Sequence, residues 1–255
     1  MKPILGVGGW VWHTSTFVND VDKIIKTGID YVLLKVNDGD TSFNSGDELR
    51  TICSKLTAAN IRIFGWGYVR PDTMESSAKL AAIRCKALNL EYYSLDFEIE
   101  FENISYAKAV SAANNFIKTW KSEAPNIGLL GSSFYLPELH PNIPYDAFLK
   151  GCAYWQPQVY WENNIPSTTV QKAIKSGSVL KKPMIITLPS YDMSSEGGKM
   201  PSIKNMVTAC DTAFKLGAKA VDFFSLDEAI VSPALLTGIT SSAKKHSAKT
   251  KNISK

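Results

Sequence analysis

The 255-residue chain has only four cysteines and three histidines, and neither type is spaced for a partner. Cys53, Cys85, Cys152 and Cys210 form no C-x-x-C pair, and His13, His140 and His246 fall at no metal-ligand spacing to them. That excludes a disulfide framework and a His/Cys metal centre, and the thiols are expected to be buried and reduced. No apolar run approaches the roughly 18 residues of a membrane span. The N-terminal run Met1-Lys2-Pro3-Ile4-Leu5-Gly6-Val7-Gly8-Gly9-Trp10 is too short and too broken by glycine for a signal-peptide core. The chain is therefore expected to be soluble and made in the cytoplasm, and to act elsewhere only after lysis or as part of a virion. A strong charge of one sign is also missing. Lys and Arg number 28 against 24 Asp and Glu, a net +4, and Lys244, Lys245, Lys249, Lys251 and Lys255 of the C-terminal tail supply much of it. Such a balance does not point to nucleic acid. The segment Gly6-x-Gly8-Gly9 lacks the third glycine of a dinucleotide fingerprint and runs into Trp-Val-Trp, and there is no Walker motif, so no cofactor is implied.

What the chain does have is a hydrophobic content of 45%, six tryptophans and ten tyrosines, enough for one sizeable core. Short apolar runs alternate with longer amphipathic stretches throughout. Strand-like runs fall at Ile4–Trp12, Asp30–Val36, Arg62–Tyr68, Tyr92–Glu98, Ile127–Ser133, Ala153–Tyr160, Pro183–Leu188 and Ala220–Ser225. Helix-like stretches begin near Phe17, Ser45, Thr73, Ser105, Ile143, Ser167, Ser202 and Ser232. One of them starts with a capping box of Ser45 and Glu48, and another stops at Gly217 as a C-cap. Eight strand signals alternating with eight helix signals predict a single (β/α)8 barrel of the TIM type over residues 1–240, followed by a basic Ser/Lys-rich tail over 241–255. A doubly wound open sheet is the competing arrangement.

In such a barrel the chemistry gathers at the C-terminal ends of the strands. Those ends carry Trp10 and Trp12, Lys35 and Asp38, Trp66 and Tyr68, then Asp96, Glu98 and Glu100, then Gln158, Tyr160 and Trp161, and finally Asp227. In Leu95-Asp96-Phe97-Glu98-Ile99-Glu100-Phe101 acidic and apolar residues alternate. Residues i and i+2 of a strand share a face, roughly 6.5 Å apart. Asp96 and Glu98 should therefore point together into the barrel mouth, with Leu95, Phe97 and Ile99 toward the helices. Two enclosed carboxylates repel, so one should hold its proton while its partner ionises, which is the division of labour that glycosidic cleavage uses. A separation near 5.5 Å would fit a nucleophile, and a wider one an inverting or substrate-assisted route. Lys35, ending an apolar strand, should pair with a strand-four carboxylate or a substrate oxygen, or snorkel to the surface. The tryptophans can stack on sugar rings or pack in the core.

The chain resembles the family 25 glycoside hydrolases, the lysozymes often carried by phages. The fourth-strand Leu95-Asp96-Phe97-Glu98 is similar to the family's L-D-x-E, Lys35-Val36-Asn37-Asp38-Gly39 to its second-strand end, and Trp155-Gln156-Pro157-Gln158-Val159-Tyr160 to its aromatic sixth-strand element. The resemblance implies Glu98 as general acid and Asp96 as the carboxylate that steadies developing positive charge. The family's first-strand Asp has no counterpart in Gly6-Val7-Gly8-Gly9-Trp10, which leaves Asp222 or Asp227 to supply it.

The function expected is hydrolysis of a cell-wall-type polysaccharide such as peptidoglycan, with Asp96 and Glu98 catalytic. Trp10, Trp12, Lys35, Asp38, Trp66, Tyr68, Glu100, Gln158, Tyr160, Trp161 and Asp227 are expected to bind substrate. The rivals are a barrel that binds saccharide or builds a virion without catalysis, and a hydrolase holding a metal on Asp96, Glu98 and Glu100.

Overall fold

The computed structural model describes residues 1–248. Its strands are β1 (Gly6–Val11), β2 (Tyr31–Asp38), β3 (Thr41–Ser42), β4 (Arg62–Tyr68), β5 (Tyr92–Asp96), β6 (Gly128–Phe134), β7 (Tyr154–Gln158), β8 (Ile185–Pro189) and β9 (Ala220–Phe224). All but β3 pair in parallel in chain order, and β1 pairs with both β2 and β9, so eight strands close into a barrel. Closure rules out the open sheet. The two-residue β3 folds back antiparallel onto the end of β2.

The helices are α1 (Thr14–Phe17), α2 (Val21–Ile25), α3 (Gly46–Ala58), α4 (Met74–Ala87), α5 (Tyr106–Glu123), α6 (Tyr145–Leu149), α7 (Pro166–Gly177), α8 (Ile203–Lys215), α9 (Leu226–Ala229) and α10 (Pro233–His246). Ser45, Ser105, Ser202 and Ser232 each accept a backbone N–H of the first turn. Gly217 takes the left-handed conformation after α8. The box at α3 is only half formed. Glu48 accepts the Thr14 hydroxyl instead of reaching back, and so ties α3 to α1. Among the described residues no helix is long and apolar enough to cross a membrane, and all four cysteines are buried free thiols.

Two cores result. Outward strand residues pack with the helices, while Trp10, Tyr31, Leu33, Phe64, Trp66, Tyr92 and Leu130 fill the barrel itself. The glycines of β1 make room in both cores, Gly8 in the inner one and Gly9 in the outer one. A Cβ on Gly8 would sit 2.2 Å from the Tyr31 ring, and one on Gly9 2.5 Å from Leu226.

Helix α10 runs through residue 240, where the tail was expected to begin. The apolar stripe Leu235, Ile239, Ala243 continues through the last turns of α10, with Ala243 and Ser242 buried and Lys244 and Lys245 turned outward. His246 stacks on Phe214 at 4.4 Å and meets Asp211 at 2.7 Å. Asp30 then joins the two ends of the fold. It accepts from Val7 N at 2.9 Å, Ser247 Oγ at 2.8 Å and Ala248 N at 3.2 Å. The rest of the expected tail, 249–255, lies outside the described residues.

Replacing Asp30 by Ala leaves the buried Val7 N–H without that acceptor and removes the tie to Ser247 and Ala248. The expected loss is about 2–3 kcal/mol, read as a lower urea midpoint at unchanged slope. An unchanged midpoint would show that this carboxylate does not close the barrel.

Candidate active site

The inward face of β5 is Tyr92, Ser94 and Asp96, and its outward face is Tyr93 and Leu95, continued by Phe97. Phe97 is fixed in the outer core, face to face with Phe148 at 4.0 Å and beside Tyr145 and Trp155. A one-residue slip would exchange these rings for carboxylates, at about 1.5–3 kcal/mol per buried apolar side chain. After Phe97 the alternation stops. Glu98 has φ −135 and ψ −141, and Ile99–Phe101 is a 3-10 turn. Ile99 is therefore exposed instead of packed on the helices, while Phe101 returns to the core against Phe148. Asp96 and Glu98 still point together, now held by the loop as well as the strand.

The pair is bridged from β7. Gln158 Nε2 donates to Asp96 Oδ1 and to Glu98 Oε1, each at 2.8 Å, and lies 3.3 Å from Ser132 Oγ. Burial pushes Asp96 well above the usual carboxylate range and the Glu98 charge adds to it. Burial likewise raises Glu98, while bonds from Gln158 and Asp96 and the nearby His140 oppose the rise. The pair therefore keeps a proton at pH values where separate carboxylates have lost theirs.

Asp96 and Glu98 lie in a cleft of about 740 Å³ at the C-terminal end of the barrel, within the usual size of a ligand site. Trp10, Trp12, Lys35, Trp66, Tyr68, Gln158 and Tyr160 line it as the sequence suggests. The Tyr160 hydroxyl has no hydrogen-bond partner among the described residues, and burial beside Asp96, Glu98 and Asp222 raises its ionisation far beyond the usual phenol range. Trp12 keeps 39% of its surface exposed and so presents an open ring.

Lys35 does not meet a strand-four carboxylate. A bulge in β2 between Lys35 and Asn37 brings Asp38 round, and Lys35 Nζ sits 2.6 Å from Asp38 Oδ2. Its ammonium also lies 5.0 Å from Trp12, 4.1 Å from Phe43 and 5.0 Å from Trp66. Burial alone would raise Asp38, but its bonds with Lys35 and Arg70 outweigh that and hold its carboxyl low.

Four expected contacts fall outside the cleft lining. Asp38 is taken up by Lys35 and Arg70. Glu100, on the 3-10 turn, accepts the Tyr68 hydroxyl. Trp161, one step past inward Tyr160, is buried in the outer core. Asp227 accepts the backbone N–H groups of Trp12 at 2.9 Å and His13 at 3.0 Å, shaping the loop after β1. Asp222 lies wholly buried in the barrel and also lines no part of the cleft. Among the described residues no group of three or more His, Cys, Asp or Glu could hold a metal ion.

The central aromatic, Phe224, is one that sequence reasoning missed. Its ring lies 6.2 Å from Trp10, 5.8 Å from Trp12, 6.1 Å from Trp66 and from Tyr160, and 6.0 Å from Tyr191. The period-two rule from Asp222 would have found it. Glu162, Asp192, Glu196 and Glu228 also line the cleft, from the segments that follow β7, β8 and β9, with Glu196 on a 3-10 turn and Glu228 on α9. With Asp96 and Glu98 they make six carboxylates against one lysine, and none of the six forms a salt bridge among the described residues.

No protein-family model and no curated protein matches the sequence. The fold does have solved relatives. A GH18 chitinase from Cycas revoluta in complex with (GlcNAc)3 superposes with a TM-score of 0.73 at 11% identity, covering 94% of this chain and 99% of that one. The PgaB (BpsB) glycoside hydrolase domain from Bordetella bronchiseptica gives 0.68 at 10%, covering 91% and 97%. The spore cortex-lytic enzyme SleL from Bacillus cereus gives 0.68 at 10%, covering 95% and 75%. At such identities the likeness establishes the fold. These solved structures are glycoside hydrolase barrels, and the likeness does not show the family 25 resemblance.

Gln158→Leu should raise the upper ionisation of the Asp96–Glu98 pair, because its bonds hold both values down. Carboxyl-carbon NMR titration measures this. A midpoint that stays put or falls would show that the carboxamide does not govern the pair.

Proposed function

We propose that the chain is a glycoside hydrolase acting on a polysaccharide of N-acetylated hexosamines, with Glu98 as general acid and Asp96 as its partner. The observation that carries this reading is the bridge between the two carboxyl groups, one nitrogen at 2.8 Å from each. An acid and a nucleophile flanking a sugar stand about 5–5.5 Å apart, and an acid and a base for inversion about 6.5–9.5 Å apart. The Asp96 and Glu98 carboxyls do not flank a sugar in this way, because both turn to one Gln158 nitrogen. They form one proton-holding unit on one side of the scissile bond, and the nucleophile then has to come from the substrate.

An acetamido group beside the anomeric carbon supplies it. Its carbonyl oxygen bonds to that carbon as the glycosidic bond breaks, and the Glu98 proton goes to the leaving oxygen. Asp96 carries the matching negative charge, and the free Tyr160 hydroxyl donates to the acetamido oxygen. Water, deprotonated by Glu98, then opens the cyclic intermediate with net retention. Trp12 and Phe224 offer apolar faces to the sugar rings. Neighbours in the fold include a chitinase bound to (GlcNAc)3, which agrees with an N-acetylated substrate. The six carboxylates of the cleft favour a neutral chitin-type chain over a peptidoglycan strand with its lactyl carboxylates.

The test is hydrolysis of chitooligosaccharides, peptidoglycan and an acetamido-free glucan, with product anomers read by NMR. Chitooligosaccharides should be cleaved with retention and the glucan left intact. Glu98→Gln should lose roughly 10²–10⁴-fold in kcat with its circular dichroism unchanged. Because the acid must be protonated and its value is raised, activity should persist toward neutral pH and fall as pH climbs through that value. Full activity in Glu98→Gln would sink the assignment, and binding without turnover by wild-type protein would mark a sugar-binding barrel instead.

A further inference from the structure

Beneath the cleft lies a second carboxylate site with no part in the chemistry above. Asp222, on β9, is fully buried inside the barrel. Its Oδ1 accepts Trp10 Nε1 at 2.8 Å, and its Oδ2 accepts Gln156 Nε2 at 2.9 Å and the Tyr31 hydroxyl at 3.3 Å. Gln156 Oε1 in turn accepts the Ser94 hydroxyl at 2.6 Å. A buried ionisable group is weak evidence for stability, since an apolar residue of similar volume often does as well. The arrangement therefore calls for another reason.

That reason lies in the spacing. Gln156 is two residues before Gln158 on β7, and Ser94 is two residues before Asp96 on β5, so each pair shares the inward face. Two carboxamides thus span the barrel one above the other. The upper one holds Asp96 and Glu98, and the lower one joins Ser94 on β5 to Asp222 on β9. An ionised carboxylate only accepts, so Asp222 forces the Gln156 nitrogen toward β9 and its oxygen toward Ser94. Pro157, between the two glutamines, has a fixed φ and no N–H, which makes the connection stiff.

We propose that Asp222 is a positioning residue for the Asp96–Glu98 pair, acting through Gln156 and Ser94 to set where Gln158 meets the two carboxyls. Burial raises the Asp222 carboxyl to about 6, so below that pH it gains a proton and its hold on Gln156 weakens. The groups that face Asp222 are Trp10 from β1, Tyr31 from β2, Gln156 from β7 and Thr187 from β8. Asp96 above it is faced by Lys35, Glu98, Ser132 and Gln158.

The kinetic arm of the test rests on the hydrolase reading, and the spectroscopic arm does not. Ser94→Ala removes only the hydroxyl that links Gln156 to β5. Carboxyl-carbon NMR should show the upper ionisation of the Asp96–Glu98 pair rising toward that of Gln158→Leu. On chitooligosaccharides its kcat should fall about two- to tenfold, the worth of one neutral hydrogen bond, with KM unchanged. In Asp222→Asn, kcat should fall about tenfold or more, as for a charged acceptor. The Trp10 indole N–H resonance, which in wild-type protein should titrate near pH 6, should become flat. Ser94→Ala with wild-type carboxyl titration and wild-type kcat would overturn the proposal. A wild-type protein without turnover would defeat the hydrolase reading alone, because the carboxyl titration of Ser94→Ala still decides the positioning role.

Discussion

Phe97 stacks on Phe148 at 4.0 Å in the layer between barrel and helices, and the direction of every acidic side chain at the end of β5 follows from it. With the ring held outward, Asp96 on one side and Glu98 on the other must turn inward. Tyr145, Trp155 and Phe101 complete an aromatic clamp around this one position. The clamp is buried and aromatic, so it resists the repulsion that would otherwise push two enclosed carboxylates apart. The placement of the acidic pair is thus stabilised by hydrophobic burial on the opposite face of the same strand.

That repulsion is then answered by polar means. Gln158 presents one NH₂ group to both acids, and a proton on the pair removes the remaining charge conflict. A lysine in the same place would have ionised both groups and left no acid. The nearest one, Lys35, is instead held by Asp38 within a box of Trp12, Phe43 and Trp66. The bulge in β2 that brings Asp38 to Lys35 therefore bears on the acid chemistry two strands away: it gives the lysine a different partner.

The barrel was legible because its period is long and repeated eight times, and because serine caps and Gly217 punctuate the helices in ways that depend on local sequence. The acidic pair was legible because strand alternation places residues two apart on one face. The misplacements have equally local causes. Ile99 and Glu100 follow the same alternation in the sequence but lie past the last strand hydrogen bonds, where a 3-10 turn replaces period two. Trp161 differs from Tyr160 by one step and so faces the opposite layer. The partners of Lys35, Asp38 and Asp227 depend on a bulge and on a loop returning from the other end of the chain, neither of which has a periodic signature. Phe224 was within reach of the alternation rule, as was Glu162 in the series Gln158, Tyr160, Glu162, whereas Glu196 was not.

The charge distribution gives the site a character that composition hides. The whole chain carries +4, yet its cleft is lined by six carboxylates and one lysine already neutralised by Asp38. Four of those acids come from the segments that follow β7, β8 and β9, so the field is strongest along one wall. The wall opposes the entry of anionic glycans. The acid strength of the pair has other sources: burial first, then the Glu98 charge for Asp96 and the Glu100 charge for Glu98. Choice of substrate and acid strength are thus set by different carboxylates, and a substitution along the wall would be felt in the first more than in the second.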